Sequence, residues 1–264
     1  MKQIVNKPIA GTFGWLKTGG TEIELNAEPA SLVYTLGEGE HRTLVVEDTG
    51  ESTVIAAELA AGASLDLIQI RRNAVNEMAH TDIRVSCGED AAFHWYRLLL
   101  DGEATYDNCS VTLIGDGSSF AADVGYRLKG TDVYDVNCEA IHLGKGTEST
   151  IFTSGVLADQ ANKLMRGTID FRTGCAGAVG SESEDVLLMD ETVSNQTVPV
   201  ILCAEEDVVG NHGATIGRPD ETVLYYMESR GIDAEAACEM LAQAKVDAVI
   251  DRIPDEALRE ELKN

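Results

Sequence analysis

The chain has 264 residues, of which 44% are hydrophobic and 25% charged, a balance typical of a globular protein with a substantial core. Acidic residues outnumber basic ones by 45 to 20, and the formal net charge of −25 argues against partners that are nucleic acids or anionic membranes. The sequence contains neither an apolar run near the roughly 20 residues of a membrane span nor the apolar core of a secretion signal, so we expect a cytoplasmic protein.

Residues 1–50 are predicted to form a short lead-in to a repetitive β-rich region that covers residues 51–217. In that region, short strands with alternating polarity are separated by turns centred on Gly62, Gly88, Gly117, Gly146 and Gly177, at spacings of 26 to 31 residues. A period near 29 residues without helical periodicity indicates stacked coils, whereas a β-sandwich would not repeat so regularly. The predicted fold class is therefore mainly β, a parallel β-helix in which each coil covers its neighbour.

Alignment of the coils on their turn glycines places three reactive side chains in one column. His80, Cys109 and Cys138 each lie eight residues before a turn glycine, and neighbouring members would be about 5 Å apart. Two interpretations remain open. The column either carries a metal or passes sulfur along the stack, or it is a ladder of small buried core residues.

The pattern becomes helical in the C-terminal segment, residues 218–264. Asp220 and Glu221 suit the first turn of one helix, Gly231 suits its end, and Asp233 suits the N-cap of a second helix. Because terminal coils of a solenoid need a cover, we expect these amphipathic helices to close its open end.

Two absences in the sequence restrict the chemistry that we expect. The six cysteines are widely spaced and form no Cys-x-x-Cys pair, which disfavours a disulfide framework or a zinc knuckle. The Gly-x-x-x-x-Gly-Lys-(Ser/Thr) loop of an ATPase is also absent, so the chain is not expected to hydrolyse ATP by itself.

The most specific motif lies at the junction of the strands and the helices. It consists of Asn211-His212-Gly213-Ala214-Thr215-Ile216-Gly217, followed by Leu224-Tyr225-Tyr226 and Ser229-Arg230-Gly231-Ile232. The order and spacing of these segments resemble the C-terminal signature of the SufB/SufD family, the scaffold proteins of iron–sulfur cluster assembly. The resemblance extends over roughly residues 50–250 and includes Arg166-Gly167-Thr168-Ile169.

The resemblance implies a right-handed parallel β-helix that acts as a scaffold without catalysis of its own, with a transient iron–sulfur cluster as its cargo. It also implies a SufC-type ABC ATPase docked on the C-terminal helices. The second chain would be a SufB/SufD chain or another copy of this chain, paired along the strands that lead to His212. The first 50 residues are short for the family, so we expect its helical N-terminal domain to be missing or reduced. The implied docking residues are Tyr225, Tyr226, Ser229, Arg230 and Gly231.

The candidate metal ligands follow from this resemblance. His212 matches a family histidine implicated in binding the cluster or iron, although a structural histidine is the alternative. Glu184 stands where SufB has a reactive cysteine, and Gly210 stands where SufD often has one. Cys203 is the nearest thiol and our candidate substitute, so the predicted metal set is His212, Cys203 and Glu184. The chain is thus either SufD-like, in need of a SufB partner, or a member that pairs with itself.

A carbohydrate-active β-helix enzyme with a carboxylate site is the competing interpretation. The many Asp and Glu residues permit a carboxylate pair, but an aromatic content of 5% disfavours a sugar-binding groove.

Overall fold

The computed structural model describes residues 2–25, 27–48, 52–72, 78–100 and 103–263. Within these ranges, two seven-stranded parallel sheets face each other, and the chain alternates between them strand by strand. The predicted parallel β-helix is therefore confirmed. Sheet I contains β3 (Ala30–Leu36), β5 (Ser52–Leu59), β7 (Met78–Cys87), β9 (Ala104–Leu113), β11 (Val133–His142), β13 (Asn162–Phe171) and β15 (Ser194–Cys203). Sheet II contains β4 (His41–Glu47), β6 (Ser64–Arg71), β8 (Ala92–Leu99), β10 (Ser119–Leu128), β12 (Glu148–Leu157), β14 (Ala178–Leu188) and β16 (Val208–Gly217).

The core lies between the two sheets, because alternate residues of every strand point inward. Its buried members include Leu67, Trp95, Val124 and Ile151 from sheet II, which meet the inward side chains of sheet I. The strands β3 and β4 belong to these sheets although they fall within the segment 1–50 that we predicted as a lead-in.

The predicted column of reactive side chains is partly wrong, because one turn has a different conformation from the one we expected. The left-handed position of each turn is a glycine in most coils, for example Gly117 (φ 69°), but in the coil before it the position is taken by Asp90 (φ 52°), not by Gly88. Aspartate tolerates this conformation better than most residues. The register is shifted as a result, so that His80 pairs with Tyr106 and not with Cys109.

The prediction of the column is therefore correct for the two cysteines and wrong for His80. Cys109 and Cys138 are paired neighbours, as predicted, but the strand neighbour of Cys109 on the other side is Ile83. Ile83 and His80 are three positions apart and consequently face opposite sides of the sheet. His80 lies on the outer face, where its Nδ1 is 2.9 Å from Ser52 Oγ.

The C-terminal helices are α2 (Glu221–Ser229), α3 (Ala234–Ile250) and α4 (Glu256–Lys263). Asp233 caps α3 as predicted, whereas Asp220, which we predicted in the first turn of α2, is its N-cap. Their predicted position at the end of the solenoid is wrong. The helix α3 lies across the outer face of sheet II, where Val246 and Val249 pack with Leu98. The reason is that β6 and β8 have apolar residues on both faces, so the outer face also needs cover. In the part of the chain that the structure describes, α3 packs on β8, β10, β12 and β14 and does not cover the end formed by β15 and β16.

The part of the lead-in that precedes β3 covers the outer face of sheet I, and we keep the name lead-in for this part. It comprises β1 (Lys2–Val5), α1 (Thr12–Trp15) and β2 (Thr21–Glu24), with β1 and β2 paired antiparallel. Val5, Ile23 and Leu25 pack with Met78 and Tyr106 on the outer face of sheet I. None of the helices in the described ranges is long and apolar enough to cross a membrane.

Candidate functional site

The candidate site is the last coil, formed by β15 and β16. Each of these strands is the final member of its sheet, so each has one hydrogen-bonding edge with no neighbouring strand among the described residues. The residues of β16 are largely exposed and those of β15 half-buried, whereas the strands beneath them, β13 and β14, are largely buried. The end of the solenoid is thus an open cross-section of the core.

His212 lies at the middle of this open end. It is the fifth of the ten residues of β16, and its ladder partner on β14 is Glu182. Paired residues of a parallel sheet point to the same side, and Glu182 is an inward, 6% exposed residue. The imidazole therefore belongs to the inward column, directly above a buried carboxylate.

A charged cluster lies beneath the last coil, in the interior of the solenoid. Lys163 of β13 is fully buried and forms an ion pair with Glu184 of β14, and its Nζ also donates to Thr197 Oγ1 at 3.1 Å. Burial lowers the pKa of Lys163, and the adjacent Glu184 opposes this effect. The ion pair compensates two charges that would otherwise be very unfavourable in the core.

Glu182 shares this cluster, in which the ion pair of Lys163 is formed with Glu184. Burial raises the pKa of its carboxyl group to about 7, the nearby Glu184 adds to the rise, and Lys163 reduces it. Gly167 of β13 makes room for this side chain, since a Cβ at that position would collide with the Glu182 carboxylate. The interior next to His212 therefore holds a carboxyl group that exchanges its proton near neutral pH.

The three predicted ligands lie in different environments. Glu184 is held by Lys163, and Cys203 is exposed at the far end of β15, where its Sγ donates to the Glu205 carbonyl at 3.0 Å. Within the residues that the structure describes, no three His, Cys, Asp or Glu side chains are grouped to hold a metal ion. One chain thus does not bring His212, Cys203 and Glu184 together as a set.

Lys163 and Glu182 were missed by the sequence reasoning. The signal that would have found them is the strand alternation itself, because Glu182 is two positions from Glu184 and shares its inward face. A lysine in the same inward pattern of β13 then indicates a buried ion pair and not a solvated charge.

The environment of the cysteine pair agrees with the core-ladder interpretation. Cys109 and Cys138 are both fully buried among the inward side chains of sheet I. Burial raises the pKa of Cys109 well above its usual range, and the adjacent Cys138 adds to this. A protonated thiol is a poor nucleophile, so the surroundings give no support to sulfur transfer through this pair.

The predicted docking residues lie on and beside α2. Tyr225 is 74% and Tyr226 57% exposed, and Val223 on the same helix is exposed as well. The Arg230 guanidinium lies 5.0 Å from the Tyr226 ring centroid, and Ser229 Oγ donates to the Tyr226 carbonyl at 2.6 Å. Gly231 follows with φ 87°, which ends the helix. The structure thus places these residues in one exposed segment.

Comparisons with known proteins identify a family that matches most of the chain. A family model described as "SUF system FeS cluster assembly, SufBD core domain" matches residues 24–245. The iron–sulfur cluster assembly protein SufD of Bacillus subtilis is 29% identical over 176 residues, which are 66% of this chain and 40% of the relative. SufB of the same organism is 25% identical over 230 residues, which are 87% of this chain and 49% of the relative.

A third relative, SufD of Escherichia coli, is 25% identical over 206 residues, which are 77% of this chain and 48% of the relative. The chain therefore spans about half the length of the curated relatives it matches. These similarities favour the interpretation based on the SufB/SufD resemblance over a carbohydrate-active enzyme.

Proposed function

This protein belongs to the SufB/SufD family of iron–sulfur cluster assembly proteins, and we propose that it is a scaffold subunit on which such clusters are built or from which they are transferred. The observation that carries this proposal is the open last coil, with His212 at its centre and the Glu182 carboxyl group as its neighbour on β14. Imidazole is a suitable ligand for iron, and carboxylates supply harder oxygen ligands. The cluster is cargo here, bound for transfer and not for catalysis by this chain.

The site needs a second chain to become complete. Among the residues that the structure describes, one chain groups no three side chains that could hold a metal ion, and the free edges of β15 and β16 are suited to pair with another strand. If both strands pair antiparallel with their counterparts about a two-fold axis, the middle of each β16 meets the middle of the other. His212 stands at that middle, so the two imidazoles would lie near the axis.

The same geometry ranks the predicted ligands. Cys203 is the tenth residue of β15, five positions past the middle, which places it roughly 16 Å from the axis. We therefore favour His212 over Cys203 as a ligand. The second chain is either another copy of this chain or a SufB chain, and a SufB chain would supply the reactive thiol that this sequence lacks.

The energy source is proposed to be a SufC-type ABC ATPase bound to the exposed segment of α2. Aromatic side chains that are exposed in the free chain, such as Tyr225 and Tyr226, are the residue type most enriched in protein interfaces. The Arg230 guanidinium beside them offers a charged contact at the rim of the same surface.

Co-expression with the ATPase of the same organism tests this role. We expect the two proteins to co-purify, and Tyr225→Asp to reduce the retained ATPase at least ten-fold. The matched control is Val33→Asp, which places the same charge on a comparably exposed side chain (72%) at the other end of the solenoid. An ATPase that does not co-purify with the wild type would overturn the assignment to this partner. Equal loss in both variants would place the contact elsewhere.

A further inference from the structure

The two strands of the last coil have the composition of paired strands. Neither β15 nor β16 contains Asp, Glu, Lys or Arg, although 25% of the residues in the chain are charged. Charged side chains are a common protection of an edge strand that stays free. The two strands contain one proline, Pro199, the sixth of ten residues in β15. The direction of its backbone nitrogen decides how a second chain can pair with this edge.

The nitrogen of Pro199 points to the free edge. At the start of β15, the Ser194 N–H donates to the Ala161 carbonyl at 2.9 Å. Just past its end, the Ala204 N–H donates to the Phe171 carbonyl at 2.8 Å. The ladder between these bonds is uninterrupted and the backbone direction alternates along a strand, so even-numbered residues face β13 and odd-numbered residues face the free edge. The free edge of β15 therefore lacks an N–H donor at its middle.

The backbone of His212 also points to the free edge. The Val179 N–H of β14 donates to the Thr147 carbonyl at 2.9 Å, so odd-numbered residues of β14 face β12 and even-numbered ones, such as Glu182, face β16. A residue that faces a parallel neighbour bonds to the residues on either side of its ladder partner, and the partner itself faces away. His212 is the ladder partner of Glu182, so its N–H and C=O face away from β14.

His212 and Pro199 lie opposite each other across the interior. The Glu182 carboxylate reaches Gly167 of the opposite sheet, where an added Cβ would collide with it. Pro199 is the ladder partner of Gly167, as His212 is that of Glu182. Both residues therefore stand one strand further along the solenoid, and a line between them crosses the core from sheet II to sheet I.

The two-fold axis of an edge-paired dimer follows this line. Two antiparallel edge strands are related by an axis perpendicular to their sheet, and His212 is the edge-facing residue nearest the middle of β16. On sheet II, His212 of each copy then donates its N–H to the other and accepts in return. On sheet I, the same axis brings Pro199 opposite its own copy, where neither chain has an N–H to donate and the two rings hold the edges apart.

We infer that the dimer has an opening between the two Pro199 residues, on the sheet I side of the axis, through which iron and sulfide reach the cluster site. The inference rests on the proposed function and on edge pairing with a second copy of this chain. The opening leads to the Glu182 carboxyl group, which lies against Gly167 directly beneath the proline. This group offers an oxygen ligand to an arriving iron ion.

Amide hydrogen exchange of the metal-free chain tests the opening itself, by comparison of the diluted monomer with the dimer. We expect dimer formation to slow exchange about ten-fold or more at His212 and Ala214, and less than about two-fold at Thr197 and Ile201. The last two amides flank Pro199 on the free edge, where a continuous ladder would protect them. Equal protection of both strands would overturn the opening and leave edge pairing in place. Protection of neither strand would overturn both.

The variant Pro199→Val supplies the missing N–H in a residue that favours strands. We expect it to lower the dissociation constant of the dimer about five-fold or more, because it adds two hydrogen bonds at the axis. Analytical ultracentrifugation of the full chain measures this constant. Ile201→Val is the matched control, since it changes an edge-facing residue that keeps its N–H, and the constant should not change. An unchanged or higher constant for Pro199→Val would contradict the inference.

The rate of iron removal connects the opening with the cluster site. The anaerobically purified complex with the ATPase is mixed with the chelator bipyridine, and subunit exchange between labelled dimers is measured in parallel. We expect the wild type to lose iron faster than it exchanges subunits, and Pro199→Val to lose it about five-fold more slowly from the same initial content. Removal no faster than subunit exchange would overturn the opening as a route, because iron would then leave only from separated chains. A wild type that carries no iron would overturn the proposed function, and this inference with it.

Discussion

At the scale of single residues, the interior charges next to the last coil are the least expected feature of the fold. Solenoid interiors are filled by apolar side chains, yet Lys163 and Glu184 are fully and almost fully buried here. Removal of one partner of such a pair leaves an uncompensated charge, whereas removal of both does not.

We therefore expect Lys163→Met to lower the free energy of unfolding by about 3–5 kcal/mol. The double variant Lys163→Met/Glu184→Leu should recover at least half of that loss, because neither member of the pair is left without its partner. Urea denaturation of the two variants and the wild type measures both values. A double variant less stable than Lys163→Met would contradict this account of the pair.

Glu182 gives a prediction about pH. Its pKa is raised from 4.5 to about 7, so between these values the folded state holds a proton that the unfolded state has lost. Stability is therefore lost as the pH rises from 4.5 to 7, and the full loss of about 3 kcal/mol is present above pH 7.

The glutamine of Glu182→Gln is uncharged at every pH, so this variant does not lose stability as the pH rises from 4.5 to 7. We expect its stability advantage over the wild type to be about 2–3 kcal/mol larger at pH 8 than at pH 5. Urea denaturation at the two pH values measures it, with Glu239→Gln as a control at an exposed carboxylate. An advantage that does not change with pH would show that Glu182 is ionised in the fold at pH 5.

The sequence could predict part of this residue-level picture. Cys109 and Cys138 were placed as strand neighbours because the glycine of the following turn marks the register in both coils. His80 was misplaced because Asp90 takes the left-handed position in its coil, and an aspartate in a polar turn cannot be told from its neighbours by pattern alone.

At the scale of the elements, the position of α3 depends on a close approach to sheet II. A Cβ at Gly125 of β10 would be 2.9 Å from Leu98 Cδ2 and 3.0 Å from Val249 Cβ of the helix. Ser154 Oγ of β12 also donates to the Lys245 carbonyl at 2.8 Å. The helix is thus fitted to one place on the sheet.

Gly125→Val should push α3 outward and lower the free energy of unfolding by about 1–3 kcal/mol, as overpacking of a well-filled contact does. Amide hydrogen exchange should be faster in α3 of this variant. Gly217→Val is the control, because an added Cβ there meets no atom within 4 Å and its stability should not fall. Unchanged exchange in α3 would contradict the proposed fit.

The helices illustrate what local sequence can and cannot predict. Their caps were predictable, since Asp220 and Asp233 accept backbone hydrogen bonds within their own first turns. Their place on sheet II was not, because it depends on apolar residues such as Ile68 and Leu98, more than 130 positions away in the sequence.

At the scale of the whole molecule, the solenoid leaves one end open and concentrates two features there. His212 lies at the middle of the free β16, and the Lys163 cluster lies beneath the last coil. The fold and the family could be predicted from the repeat and the C-terminal motif. The site was predicted only through His212, because a pattern in one chain contains no information about what a second chain adds.

The measurement that tests the central claim most directly is the iron and acid-labile sulfide content of the anaerobically purified complex with its ATPase. We expect the wild type to carry both elements, with the visible absorption of an iron–sulfur cluster, and His212→Ala to lose most of both. His41→Ala, an exposed histidine on the first coil, is the control and should keep them. If His212→Ala retains as much iron and sulfide as His41→Ala, the last coil is not the site of the cluster.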